Sequence, residues 1–142
     1  MKKNIYLVYT VSLLLCFSCG GHKDNTPTSH APTISNLNYF PKFSYVNYLG
    51  QNSQPVYGSI DFTDAGGDLS TMTLTTKTAY DSIISSTTIP IQNSSSGLHS
   101  GLLTVDAVVS TLSVTTIIFY VYITDRAGSR SNTLSGVFTV YQ

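Results

Sequence analysis

The sequence predicts an all-β protein, an antiparallel β-sandwich of about seven or eight short strands. Three observations lead to this prediction. First, the 142 residues include 20 Ser and 19 Thr but no Glu, and only 10% are charged, so good helix formers are scarce. Second, apolar and polar residues alternate after position 32, which is the period of a strand. Third, turns rich in Gly, Asn, Asp and Ser separate the alternating segments.

The N-terminus is typical of a signal peptide rather than of the folded domain. Lys2 and Lys3 precede 13 uncharged, mostly apolar residues, 5–17. A membrane-spanning helix needs about 20 such residues, whereas the apolar part of a signal peptide has roughly 7–15. We therefore assign residues 1–18 to a signal peptide.

Residues 15–20 read LCFSCG and resemble the lipobox of bacterial lipoproteins. That motif has a small residue directly before the modified cysteine. Ser18 meets this requirement for Cys19, whereas Leu15 does not meet it for Cys16. The sequence departs from the family at Cys16, where Leu is usual. The resemblance implies that the chain is cut after Ser18 and that Cys19 is the lipid attachment site.

Cleavage would leave 124 residues with five Lys or Arg and seven Asp, a net charge of 5 − 7 = −2. Residues 19–32 are polar and rich in Gly, Thr and Pro, so we expect a lipidated flexible linker.

The predicted partner is a membrane, contacted through the N-terminal lipid. The predicted location is the bacterial outer membrane, on its periplasmic face or at the cell surface. The sequence contains no cluster of basic residues, so we do not expect nucleic-acid binding.

The alternating segments follow one another through residues 33–142. The predicted strands are 34–40, 43–48, 56–62, 71–75, 83–91, 98–105, 114–124 and 137–141. Turn signals occupy 49–52, 64–68, 93–97 and 125–128. Residues 106–113 are the one stretch for which we expect a short helical turn. Strands of this number and spacing indicate a two-sheet sandwich.

Two segments carry a further resemblance. GSIDFTDAGGDLSTMTLTT begins at Gly58, and YVYITDRAGSRSNTLSGVFTV begins at Tyr120. They resemble immunoglobulin-like or cadherin-like domains of bacterial surface proteins of the Bacteroidetes type, which commonly read G-x-I-x-F-x-D-x-x-G-D-L and V-x-V-T-D-x-A-G-x-x-S-N. The resemblance implies an immunoglobulin-like β-sandwich over residues 33–142. Domains of this kind serve as spacers, adhesins and carbohydrate-binding accessories, so it leaves the function open.

The sequence predicts neither an enzyme nor a cofactor. After the linker the sole His is His99, and no G-x-S-x-G motif occurs. Calcium is an alternative, because oxygen ligands from Asp64, Asp68 and Asp125, with Asp61 nearby, would suit that ion. The chain lacks the D-x-[DN]-x-[DN]-G series of a calcium loop. We therefore expect no metal site, and expect Asp64 and Asp68 to accept backbone N–H bonds within a tight turn.

Alternation in the strand 114–124 directs Tyr120 and Tyr122 away from the core, and Tyr141 faces the same way if Phe138 and Val140 point inward. These three tyrosines are the candidate binding face for a glycan or protein ligand. The competing interpretation is ordinary cross-strand packing of aromatic residues on a solvated sheet. The predicted function is a lipid-anchored, extracytoplasmic, non-catalytic binding or spacer module. The alternative is a glycan-binding accessory lipoprotein that uses this face.

The lipid anchor can be tested directly. Two or more acyl chains hold a protein stably on a membrane. The protein expressed in a bacterium should therefore partition into the detergent phase of a phase-separation assay, and Cys19→Ala should move it to the aqueous phase. Cys16→Ala serves as the control and should leave partitioning unchanged. Equal partitioning of the natural protein and Cys19→Ala would contradict the assignment.

Overall fold

The computed structural model describes residues 30–46, 52–91, 97–111 and 113–142. These residues form nine strands. The strands are β1 (Thr33–Phe40), β2 (Phe43–Tyr45), β3 (Asn52–Thr63), β4 (Leu69–Thr78), β5 (Ile83–Pro90), β6 (Ser100–Thr104), β7 (Ala107–Thr111), β8 (Thr115–Asp125) and β9 (Leu134–Tyr141). Within the described ranges, no helix is long and apolar enough to cross a membrane.

The strands form two sheets packed as an immunoglobulin-like β-sandwich, as the sequence predicted. One sheet has the order β1-β3-β6, with β7 also paired to β3, and the other has the order β2-β9-β8-β4-β5. β6 pairs with the second half of β3 and β7 with its first half. They therefore follow one another along the same edge of β3, and β7 is the strand that the sequence did not predict.

The prediction of a helical turn at residues 106–113 is wrong. β7 occupies most of this stretch and pairs antiparallel with β3, from Asn52 opposite Thr111 to Val56 opposite Ala107. Val109 is buried while Val108 is exposed, so the segment does alternate as a strand. The two adjacent valines hid this alternation in the sequence, and their β-branched side chains fit a sheet better than a helix.

Alternating side chains fill the space between the sheets, as the strand period predicted. In β8 every second residue from Ile117 to Asp125 is buried, and the intervening residues are half-buried on the outer face. Burying one such aliphatic side chain contributes about 1.5–3 kcal/mol. The buried apolar side chains are Ile34, Val56, Ile60, Phe62, Leu69, Met72, Leu103, Val105, Val109, Ile117, Phe119, Val121, Ile123, Phe138 and Val140.

The chain passes from one sheet to the other between β1 and β2. The Phe40–Pro41 peptide is cis, and β2 begins two residues later in the five-stranded sheet. β2 runs parallel to β9, which sets Tyr45 opposite Tyr141. The sequence predicted antiparallel sheets, so this short parallel pair at the edge is a departure from that expectation.

Tyr39 holds the chain at this crossing. Its hydroxyl donates a hydrogen bond to the carbonyl oxygen of Val137 and accepts one from the Val137 N–H, both at 2.9 Å. Its ring meets the ring of Phe119 edge-on, with centroids 4.7 Å apart and planes at 80°. Such an edge-to-face pair is favourable because the positive ring edge meets the negative ring face. One side chain of β1 thus contacts both β8 and β9 of the opposite sheet.

Gly136 makes this contact sterically feasible. It lies directly opposite Phe119 in the β8–β9 pairing. A Cβ atom on Gly136 would lie 2.6 Å from Phe119 Cε2 and 2.8 Å from Tyr39 Cε1. Both distances are shorter than van der Waals contact, so a side chain at this position would push the two rings away from β9.

We therefore expect Gly136→Ala to lower the free energy of unfolding by about 1–3 kcal/mol, the usual cost of overpacking a core. Thermal unfolding monitored by circular dichroism would show this as a fall of several degrees in the melting temperature. Ser135→Ala, at the exposed neighbouring position, is the control and should melt like the natural protein. A Gly136→Ala variant as stable as that control would contradict the packing described here.

Candidate functional site

Three exposed aromatic rings meet on the outer face of the five-stranded sheet. Phe43 and Tyr45 are two residues apart on β2, so they project to the same side, and Tyr141 lies opposite Tyr45 on β9. The ring centroids are 6.0 Å apart for Phe43 and Tyr45, 6.0 Å for Phe43 and Tyr141, and 5.8 Å for Tyr45 and Tyr141. The three residues are 51%, 61% and 48% exposed. We call them the three-ring cluster.

Tyr120 and Tyr122 project from β8 on the same outer face, and each has a cation over its ring. Lys77 Nζ lies 5.3 Å from the ring centroid of Tyr120, and the guanidinium carbon of Arg130 lies 3.5 Å from that of Tyr122. Both tyrosines are half-buried. We call them the tyrosine pair. Each cation is attracted to the face of its ring and covers part of the aromatic surface that the tyrosine would otherwise offer to a ligand.

The structure therefore divides the tyrosines that the sequence grouped together. Tyr120 pairs with Ser135 on β9, and Tyr141 is 141 − 135 = 6 residues further along that strand. At about 3.4 Å per residue, Tyr120 lies roughly 20 Å from Tyr141 along the sheet, and Tyr122 lies roughly 27 Å from it. Tyr141 joins Phe43 and Tyr45 instead. All five aromatic residues share one outer face, which we call the aromatic face.

Phe43 and Tyr45 were absent from the predicted binding face. Their alternation in the segment 43–48 was visible in the sequence, and so was their aromatic character. The missing information was that β2 lies beside β9, because this depends on contacts between residues almost a hundred positions apart.

Rows of hydroxyl groups flank the tyrosine pair on β4 and β5. Tyr122 is opposite Thr73, whose hydroxyl lies 2.9 Å from that of Thr88. Tyr120 is opposite Thr75, whose hydroxyl lies 3.0 Å from that of Ser86. Each hydroxyl can both donate and accept a hydrogen bond. Thr73 is buried, whereas the hydroxyl pair of Thr75 and Ser86 is exposed. The aromatic face thus combines flat rings with exposed hydroxyl groups that could bind polar parts of a ligand.

The two cations at the tyrosine pair differ in their partners. Lys77 forms a 2.7 Å ion pair with Asp81, and this hydrogen bond raises the pKa of Lys77 above its ordinary value. Arg130 donates from Nη2 to the hydroxyl of Thr133 at 2.9 Å. Among the described residues, no carboxylate lies within ion-pair distance of Arg130. A neighbouring acid therefore neutralises the charge of Lys77 but not the charge of Arg130.

The turn aspartates hold backbone N–H groups. Asp64 is buried, and its two carboxylate oxygens accept hydrogen bonds from the N–H groups of Gly66 at 3.2 Å and Asp68 at 2.8 Å. Asp125 is also buried and accepts the Ser129 N–H at 2.7 Å. For Asp64 this is the turn-forming role that the sequence predicted.

The remaining candidates have other structural contacts. Asp61 accepts a 2.7 Å hydrogen bond from the Asn36 amide, and His99 Nδ1 lies 3.1 Å from the carbonyl oxygen of Asp64. In the described ranges, no three His, Cys or Asp side chains come together as metal ligands would. Cys19, the predicted lipid attachment site, lies outside the described residues.

A cleft opens between the sheets beside β5. Met72, Leu74 and Ile89 line one side, and Val105 to Val108 line the other. Its volume is about 190 Å³, whereas pockets for small ligands usually measure about 300–1,000 Å³. The cleft is therefore a poorer candidate for a binding site than the aromatic face.

No family of known domains matches the sequence, and no curated protein is significantly similar to it. Among solved structures, the chain is similar to the CARDB domain of the PF1109 protein from Pyrococcus furiosus, solved in complex with di-metal ions. The two share 8% identity, the TM-score is 0.40, and the match covers 78% of this chain and 92% of that one.

The chain is also similar to a Niemann-Pick type C2 protein from the Japanese carpenter ant. This match has 8% identity, a TM-score of 0.39, and covers 79% of this chain and 94% of that one.

Proposed function

We propose that the protein is a lipid-anchored, non-catalytic binding module of the bacterial cell envelope, and that the aromatic face is its binding surface. The observation that carries this proposal is the three-ring cluster of Phe43, Tyr45 and Tyr141, which leaves about half of each residue exposed. Leaving a large apolar side chain exposed forgoes about 1.5–3 kcal/mol of burial. Three such rings gathered on one face are typical of a surface that a partner covers.

The anchor determines where such a surface would work. A lipid on Cys19 and the polar segment 19–32 would hold the domain near the outer membrane, facing the periplasm or the cell exterior. The proposed module would then bind its ligand at the membrane without altering it chemically. A spacer would use the same fold and the same anchor, but it would have no need for an exposed aromatic cluster.

We propose glycans as the class of ligand, in keeping with the alternative function drawn from the sequence. Flat aromatic rings pack against the apolar faces of sugar rings, and tyrosine adds a hydroxyl for hydrogen bonding. The exposed hydroxyl groups of Thr75 and Ser86 lie beside the tyrosine pair. Rings and hydroxyls on one sheet face together suit a ligand that is itself flat and rich in hydroxyl groups.

Glycan binding can be tested by native electrophoresis of the full chain in gels that contain soluble β-glucan, xylan, mannan or pectin. We expect at least one polysaccharide to retard the protein. The double variant Tyr45→Ser with Tyr141→Ser should weaken that binding tenfold or more, because buried aromatic residues dominate binding energies at interfaces.

The matched control is Phe40→Ser with Tyr57→Ser. These two aromatic residues pair across β1 and β3, and they are 77% and 62% exposed on the other sheet. The control removes as much exposed aromatic surface but should leave the retardation unchanged. If no polysaccharide retarded the natural chain, or if only the control lost binding, glycan recognition by the aromatic face would be wrong.

A further inference from the structure

We propose that the glycan bound by the aromatic face is acidic, and that Arg130 recognises its carboxylate or sulfate groups. This inference rests on the proposed function and adds the charge of the ligand to it. It arises from the position of Arg130, which places a guanidinium group on the aromatic face beside the tyrosine pair. Arg130 lies opposite Thr124 of β8 through an isolated bridge, three residues along β8 from Val121, where the regular β8–β9 pairing ends.

Two contacts fix the orientation of this guanidinium group. Its carbon lies 3.5 Å from the ring centroid of Tyr122, which is a close stacking distance, and Nη2 donates to the Thr133 hydroxyl at 2.9 Å. A guanidinium carries five N–H donors, so the bond to Thr133 leaves most of them available. A planar group held in this way can bind a carboxylate or sulfate through two parallel hydrogen bonds at little cost in side-chain entropy.

The charges around Arg130 favour an anion from outside the protein. Lys77, the cation over the other ring of the tyrosine pair, is already paired with Asp81. The buried carboxylates of the adjoining turns, Asp64 and Asp125, accept backbone N–H bonds. No acid among the described residues lies within ion-pair distance of Arg130. A ligand carboxylate or sulfate would supply the counter-charge that the chain itself does not place there.

The net charge of the protein implies that an acidic glycan would be bound by a specific site rather than by long-range attraction. The predicted mature chain has a net charge of 5 − 7 = −2, so its long-range field does not attract polyanions. Binding to an acidic polysaccharide would therefore report on a specific site. The sugar rings would lie along the aromatic face, and the acid group of one residue would reach Arg130.

The inference can be tested with the full chain in detergent and two matched pairs of polysaccharides. Polygalacturonate is compared with its methyl ester, in which the carboxylates are masked, and dextran sulfate is compared with dextran. We expect one acidic member to bind at least tenfold more tightly than its neutral partner. The preferred member identifies the anion as carboxylate or sulfate. Higher salt should weaken this binding, because salt screens exposed charges.

Arg130→Gln should abolish the preference for the acidic polysaccharide. Arg130→Lys keeps the charge but loses the planar donor pair, so it should retain a reduced preference. Arg126→Gln is the control, since it removes one positive charge from the turn that follows β8 and should leave the preference intact. Circular dichroism would verify that each variant is folded.

Equal affinity of the natural chain and Arg130→Gln for the acidic polysaccharide would overturn the role of Arg130, as would an equal loss in Arg126→Gln. Binding of neutral polysaccharides without any acidic preference would overturn this inference and leave the proposed function intact. Failure of every polysaccharide to bind would overturn glycan recognition itself, and the acidic preference with it.

Discussion

The hydrogen bonds between the Tyr39 hydroxyl and the backbone of Val137 are the contacts on which the aromatic face depends. They join the end of β1 to β9 in the opposite sheet, across 98 positions of sequence. These bonds fix the position of the chain at the crossing, and β2 then pairs with the edge of β9 in parallel register. Gly136 is required for the same reason, since any side chain there would displace the rings of Tyr39 and Phe119.

The crossing gives the sandwich two unequal outer faces. The four-stranded sheet exposes the aromatic pair Phe40 and Tyr57. The five-stranded sheet carries the three-ring cluster at one end and the tyrosine pair, with the arginine stacked on Tyr122, roughly 20–27 Å away. An extended ligand could contact both groups, whereas a small molecule would reach only one. This geometry is the reason for proposing a polymer of sugars rather than a single sugar.

The sequence predicted local structure well and long-range pairing less well. Alternation in β8 gave the inward residues from Ile117 to Ile123 correctly, because each strand must bury one face. It failed where Val108 and Val109 stand side by side, because two adjacent apolar residues do not reveal which of them is buried. It also could not place β2 beside β9, since three residues of strand carry too little pattern to specify a partner.

The central claim is that Tyr39 and Gly136 position β2 so that Phe43, Tyr45 and Tyr141 form one cluster. Nuclear Overhauser spectroscopy of the full chain in detergent tests it most directly. We predict contacts between the Tyr39 ring and the α-protons of Gly136, and between the ring protons of Phe43 and Tyr141. Absence of both sets of contacts, in spectra that show the β8–β9 pairing intact, would contradict the account.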